Sequence, residues 1–570
     1  MPGFWRRRSS SKTSCAFRSP GRLRVIRPLS GVTRRNAAGE VLAGVTLLAI
    51  AVPLNIGYAQ IAGLAPTAGL YALVVPAIIY TLVVSSRQVV ASPDAAAAAL
   101  VASSVGGLAV AGSTGYASMA LAQAVISGLL FVAAAVFKLG FLAAFLSKPI
   151  LVGFVGGLAL DIMVSQVAKM LGVKIDSGGE FVGKVADLIG GLGGVNGWSV
   201  LISVLAVGVL LAGRRLARAV PWALVVLVLA TVVVVTTGLE VAGVSVLGQV
   251  EAGPPSLTWP VLDLATWLAL VPSAIALTLV TMAEGLLVAR SYAEKNGYTT
   301  SPNRDLLAFG AANIASGASG SFAVGSSTSR TAAMDQAGSR TQLPTLVAAV
   351  GTLLLLVFGT ALLEHIPSPA IGAVVAVAIL PLLGIREFRM LWKRDRFEFA
   401  IGAACFLATL FIGAIPGILI SFVLALINLA KRAANPPIDV LADDDPGSAL
   451  LSTAAIGTTT APGVLVIRLA APLFFANSAV FSDTVKRAIG AVPAGSVRHL
   501  VLDLEAVTDV DVTAAETLES LLRWLHDEGV GLAFSRARPG LVDRMRVLGV
   551  LTDETVYPSN RAALEALADR

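Results

Sequence analysis

Two stretches decide the reading: Ser85-Ser86-Arg87-Gln88-Val89-Val90-Ala91-Ser92-Pro93-Asp94-Ala95-Ala96 and Phe322-Ala323-Val324-Gly325-Ser326-Ser327-Thr328-Ser329-Arg330-Thr331-Ala332. Each passes from a short extended piece into the start of a helix. In the first, Pro93 suits a first helical turn, where its missing N–H is no loss, and the alanines that follow favour helix. In the second, Ser and Thr are good N-caps. Two helices that begin at mid-membrane and face each other bring their free N–H groups together. Each start carries about half a positive charge, so the pair makes an anion site from backbone alone. Arg330 adds a full charge. An Arg in the bilayer core costs ~2.5 kcal/mol or more, so it faces a cavity and a partner. The competing reading is a connecting loop from which Arg330 snorkels to the interface.

The rest of the chain supports a membrane setting. Of 570 residues, 56% are hydrophobic and 14% charged, against roughly 25% charged in soluble domains. Apolar segments lie near 40–62, 66–84, 116–138, 149–171, 198–213, 219–237, 264–290, 304–322, 343–363, 368–385, 396–413 and 415–431. A crossing helix needs about 20 such residues. With the irregular segments 93–110 and 326–337 the set is fourteen, and each irregular segment is third in its group of seven. That placement is the pattern of an inverted-repeat transporter. The expected architecture is an all-α polytopic membrane protein of 14 transmembrane segments in two 7-segment inverted repeats, followed by a cytoplasmic α/β domain. Its parts are a basic N-terminal segment (1–38), a transmembrane domain (39–432), a linker with the start of the next domain (433–462) and the α/β domain (463–570).

Charge sets the orientation. Residues 1–36 hold ten Lys or Arg and no acid, which reads as a cytoplasmic terminus in preference to a nucleic-acid-binding arm or a cleaved signal peptide. Arg214, Arg215 and Arg218, then Arg386, Arg389, Lys393, Arg394 and Arg396, then Lys431 and Arg432 fall at segment ends. They fit an even number of spans with both termini inside. Cys15 and Cys405 are far apart, and His365, His499 and His526 form no cluster, so neither a metal nor a cofactor is expected. The spans carry no nucleophile–base set, which argues against an enzyme.

Glu284 interrupts the apolar run Ala274–Val288. A carboxyl at that depth points to a proton relay, or to an ion pair between helices. Beyond residue 463, Val464–Arg468, Leu500–Leu504 and Val530–Phe534 read as strands, and Leu518, Leu521, Leu522 and Leu525 as one helical stripe ended by Gly529. They suggest a βαβ unit. Thr513-Ala514-Ala515-Glu516 fits a capping box.

Several motifs resemble those of the sulfate-permease type anion transporters, SulP in microbes and SLC26 in animals. They run in order: Ala43-Gly44-Val45-Thr46, Pro53, Tyr58-Ala59-Gln60-Ile61-Ala62-Gly63-Leu64, Gly69-Leu70-Tyr71, Ser86-Arg87, Pro93, Asn303-Arg304-Asp305-Leu306, Asn313 and Ser329-Arg330-Thr331-Ala332. The resemblance covers about 38–560. It implies UraA-like core and gate domains, a C-terminal STAS domain and a homodimer in the cell membrane. It also implies that Leu473–Asn477 and Asp509–Thr513 belong to the STAS domain, with Thr513 the position that accepts phosphate in related regulators. Leu54 stands where many members have Gln, Ala65 replaces a Pro, Asp94 replaces a small or hydroxyl residue, and Ser326–Arg330 is more polar than the usual motif.

The substrate-binding residues expected on this basis are Asn55, Tyr58, Asp94, Ala95, Ser327, Thr328, Ser329 and Arg330. Asn55 and Tyr58, three apart, share a helix face. Coupling falls to Glu284 and Asp94, and Asp94 must take a proton or pair with Arg330 to tolerate an anion. The leading function is sulfate transport by proton symport. Val288 stands where sodium-type carriers place a Thr, which favours H⁺ over Na⁺. Bicarbonate or dicarboxylate transport, exchange, an anion channel and a membrane sensor with a signalling STAS domain are the alternatives. No nucleic-acid partner is expected.

Overall fold

A computed structural model describes residues 29, 31–33, 36–140, 148–176, 179–216, 220–443, 451–551 and 554–568. All ten basic residues of the N-terminal segment, with Cys15 and Arg218, lie outside the described residues. The chain divides into two compact units, Met1–Phe422 and Val423–Arg570.

The first unit contains α1 (Ala37–Ile61), α2 (Pro66–Tyr71), α3 (Val75–Val83), β1 (Ala91–Ser92), α4 (Ala95–Val105), α5 (Thr114–Val136) and α6 (Lys148–Leu171). It continues with α7 (Phe181–Gly190), α8 (Gly197–Leu216), α9 (Trp222–Thr237), α10 (Leu264–Asn296), α11 (Pro302–Ala318), β2 (Gly325–Ser326) and α12 (Thr328–Gln336). It closes with α13 (Leu343–Phe358), α14 (Ala361–Glu364), α15 (Ser368–Ile379), α16 (Ile385–Arg394), α17 (Arg396–Phe411) and α18 (Ala414–Ala434), the last of which runs on into the second unit.

Each of the fourteen expected segments contains a helix. Among the described residues six helical stretches are long and apolar enough to cross a membrane unaided. The others are shorter, bent or more polar, and they depend on neighbours for their backbone partners. Two helices lie between the expected spans, α7 and α16. The basic cluster at 386–394, between two expected spans, is itself helical, with Leu391 on its buried side. Segment 66–84 is split into α2 and α3, and Pro76 sits in the first turn of α3, where it costs no hydrogen bond.

Small residues bring the helices together. A Cβ placed on Gly153 of α6 would lie 2.2 Å from the Gly402 carbonyl of α17, and one on Gly317 of α11 would lie 2.4 Å from the Leu121 carbonyl of α5. One on Gly69 of α2 would lie 2.1 Å from the Asn55 carbonyl of α1. Backbones this close exclude side chains, the usual means of helix association where no hydrophobic drive separates helix from lipid.

The second unit is a six-stranded sheet: β3 (Ile438–Ala442), β4 (Ser452–Ala454), β5 (Gly463–Leu469), β6 (Val497–Asp503), β7 (Gly531–Ser535) and β8 (Val556–Tyr557) in the order β4-β3-β5-β6-β7-β8. Strands β5 to β8 are parallel, and β3 joins antiparallel. Helices α19 (Ser478–Gly490), α20 (Val512–Asp527) and α21 (Pro539–Val547) make the crossovers, and α22 (Asn560–Leu567) follows β8. Leu518, Leu521 and Leu525 of α20 are buried with Leu502 and Phe534 of the sheet. The stretch 433–462 thus supplies two strands, β3 and β4. The capping box at Thr513 does not form. Asp511 caps α20 two residues earlier, accepting from Ala514 N at 2.8 Å, because its carboxylate answers a free N–H better than a hydroxyl does. Thr513 is left inside the first turn, exposed.

Gly153→Ala is expected to cost about 1–3 kcal/mol of stability through overpacking against Gly402. The check is thermal unfolding of the detergent-purified protein, where an unchanged midpoint would mean that α6 and α17 separate freely.

Candidate functional site

The two irregular segments meet. Strands β1 and β2 pair antiparallel, Ala91 with Ser326 and Ser92 with Gly325, and Ser327 N donates to Val90 O at 3.0 Å. Helices α4 and α12 therefore begin side by side. Helix α4 starts at Ala95, two residues later than expected. Pro93 precedes the cap, and Asp94 is the N-cap, its Oδ1 accepting from Ala97 N at 2.7 Å. Ser327 caps α12, accepting from Arg330 N at 3.4 Å.

Arg330 is fully buried and is the largest side chain so enclosed. Its Nη1 donates to Asn55 Oδ1 at 2.6 Å and its Nε to Ser327 Oγ at 2.8 Å. Its Nη2 donates to the Pro93 carbonyl. The guanidinium carbon lies 5.6 Å from the centre of the Tyr58 ring, close enough for a cation–π contribution. Every acceptor is neutral, so the positive charge is positioned but not cancelled. Of the two alternatives for Asp94, a proton or a pairing with Arg330, the pairing is not seen: no Asp94–Arg330 ion pair forms among the described residues. Asp94 instead spends one oxygen on its own helix start, and its Oδ2 is buried without a partner. Asn55 Nδ2, Ser92 Oγ and Ser326 Oγ are likewise buried and unpartnered. Unpaired polar atoms of this density are rare inside proteins and call for a ligand or water.

The structure thus brings together Asn55, Tyr58, Asp94, Ala95, Ser327 and Arg330. Thr328 and Ser329 are exposed on the first turn of α12, and Ser329 faces a cavity of about 450 Å³ lined also by Leu54, Trp222, Ala333 and Gln336. Gly325 leaves the room that this packing needs. A Cβ there would sit 2.8 Å from Asp94 Oδ2 and 3.0 Å from Thr281 of α10. Glu284 lies one turn beyond Thr281, half-buried and within electrostatic reach of Asp94.

The profile of the Sulfate permease family matches residues 38–405, and that of the STAS domain residues 455–563. The chain belongs to the sulfate permease family. It is 33% identical over 551 residues to a protein of Mycobacterium tuberculosis named a probable sulfate transporter, covering 94% of this chain and 96% of the relative. It is 30% identical over 545 residues to low affinity sulfate transporter 3 of Stylosanthes hamata, covering 89% and 84%. The fold matches murine Slc26a9, described as an anion transporter in the inward-facing state, with TM-score 0.86 at 20% identity over 100% of both chains. The transmembrane domain of the cyanobacterial bicarbonate transporter BicA matches with TM-score 0.60 at 22% identity, over 70% of this chain and 98% of that one. The family is one of multi-pass membrane transporters, not of enzymes.

Four further side chains that the sequence reading does not assign to the site hold the broken segments in place. Asn313 of α11 substitutes for a strand partner. Its Nδ2 donates to Val324 O at 2.9 Å, and its Oδ1 accepts from Val324 N at 3.0 Å. Thr331 Oγ1 accepts from Val90 N at 3.1 Å. Gln342 Nε2 donates to Val89 O at 2.8 Å and to Ser86 O at 3.1 Å. Asp305 Oδ1 accepts from Ser85 N at 2.7 Å. Asn313 and Asp305 were visible as family motif residues, and a buried Asn in an apolar helix is itself a signal. For Gln342 the sequence offered none.

Asn313→Leu leaves both backbone groups of Val324 unpaired, at about 1–3 kcal/mol each. A clear fall in the thermal midpoint of the purified protein is expected. A midpoint equal to wild type would show that water replaces the amide at no cost.

Proposed function

We propose that the chain is a secondary active anion transporter whose substrate is sulfate, carried with protons. The observation that carries the reading is Arg330, buried and held by neutral acceptors where two helices begin side by side. Charge counting supports the coupling. The guanidinium and two helix starts of about half a charge each are roughly cancelled by Asp94 and Glu284 when both are ionised. Each proton bound at these carboxyls leaves about one positive charge for the anion. Anion and proton binding are then reciprocal. Sulfate is favoured over bicarbonate and dicarboxylates because the relatives of 30% identity or more carry sulfate in their names. We further propose that the protein works as a homodimer in the cell membrane, with its N-terminus and STAS domain cytoplasmic, and that Thr513, exposed on the first turn of α20, is open to phosphorylation.

The test is uptake of labelled sulfate, bicarbonate and succinate into proteoliposomes, with and without an inward proton or sodium gradient. Sulfate accumulating under the proton gradient alone is expected, and downhill flux only would make the protein a channel. Arg330→Ala is expected to weaken sulfate binding at least about tenfold, with Arg330→Lys intermediate, because an ammonium cannot reach three acceptors in a fork. Affinity unchanged in Arg330→Ala would remove Arg330 from the site. Glu284→Gln is expected to abolish proton-driven accumulation while sulfate–sulfate exchange persists. A wild-type response to pH would clear Glu284 of coupling.

A further inference from the structure

We propose that Lys169 and Gln166 of α6 form a second binding subsite for a small oxyanion. In this structure the Lys169–Gln60 hydrogen bond holds it closed, and it fills when α6 moves off α1. The cavity beside Ser329 runs along α12 to Gln336. Three residues further on, Ser339 Oγ donates to Glu40 Oε2 at 2.8 Å, in the first turn of α1. That cavity therefore lies between Ser329, next to Arg330 in the chain, and the membrane face where α1 starts. Gln60 lies toward the other face, five residues beyond Asn55, or about 7.5 Å along the helix.

There Lys169 Nζ donates to Gln60 Oε1 at 3.0 Å, and Lys184 of α7 pairs with Asp161 at 2.8 Å. Gln166 is fully buried, and neither its Oε1 nor its Nε2 has a hydrogen-bond partner. These five side chains line a cavity of about 10 Å³, enough for one water. It adjoins a larger one of about 200 Å³ that shares Asp161, Lys184, Ala99 and Ala102. Ala99 and Ala102 belong to α4, the helix whose start builds the Arg330 site, so one helix links the two places.

Two ammonium groups face one carboxylate in the small cavity. Asp161 offsets Lys184, while Lys169 has an amide oxygen for company and two further N–H donors to spend. Glu180, at the mouth of the larger cavity, is exposed and its charge is met by solvent. A half-buried ammonium in the last turn of a membrane helix is available to an anionic partner, and an unpaired buried amide beside it can donate to the same anion. An oxyanion taken from this face exchanges the Gln60 contact for its own and passes along α4 to Arg330.

The inference rests on the transport reading, and the test separates the two. Sulfate uptake is measured with the full chain in right-side-out and in inside-out vesicles, for wild type, Lys169→Met, Lys169→Arg and Gln166→Leu. Lys169→Met is expected to raise the half-saturating sulfate concentration about tenfold from the face where α1 ends and less than about twofold from the other, with Lys169→Arg largely restoring it. Gln166→Leu removes only unpaired atoms and carries the test if Lys169→Met is not recovered folded. For it a rise of about threefold from the same face alone is expected. No sulfate flux in wild type overturns the transport reading and the subsite with it. Wild-type flux with variants altered equally at both faces, or at neither, overturns the subsite alone.

Discussion

A guanidinium in a low-dielectric interior must have its donors satisfied, and that requirement organises the centre of this protein. Arg330 takes its acceptors from three places: the side chain of Asn55 on α1, the cap of its own helix, and the Pro93 carbonyl. The last is available because the chain is unwound between α3 and α4. Were that stretch helical, the carbonyl would be committed to its own helix. The break in the backbone and the buried charge thus require each other. Because all three acceptors are neutral, the arginine is fixed while its positive charge is left uncancelled.

Unwound backbone at this depth is tolerated only when protein replaces water as its partner. Two short strands satisfy part of the need by pairing with each other. Side chains from α11, α12 and the start of α13 satisfy most of the rest, through Asn313, Thr331, Gln342 and Asp305. Around this polar centre the helices pack through glycine, as at Gly153 and Gly317. The outer surface is of another kind. On α9, Val228, Leu229, Val232, Val233 and Val235 are exposed, as suits a helix turned toward lipid and apolar on all sides.

Buried polar groups of the first unit differ in how fully they are paired. Toward the face where α1 starts, Glu40 is buried but fully answered by Ser339, Arg340 N and Thr341. At the centre and near the end of α1, polar atoms of Asn55, Ser92, Asp94 and Gln166 are left without partners.

Much of this was legible in the sequence because a membrane makes composition and length informative. The helical segments, the two interruptions, the buried arginine and the βαβ strands of the soluble domain all follow from local pattern. Where the reading failed, the cause was geometry between distant residues. Charge alone leaves Asp94 either to take a proton or to pair with Arg330, and geometry decides against the pair: Asp94 is drawn to the free N–H of Ala97 and Arg330 to Asn55 and Pro93. Thr513 fits a capping pattern, yet Asp511 is nearer the helix start that the fold sets. Gln342 and Gln166 carry no local mark at all. The sequence by itself determined which segments enter the membrane, where the chain breaks and which charges are taken inside, since these depend on transfer free energy residue by residue. Only the tertiary structure decided which groups each charge meets and which polar atoms stay free, since a hydrogen bond depends on positions to within a few tenths of an ångström across hundreds of residues of chain.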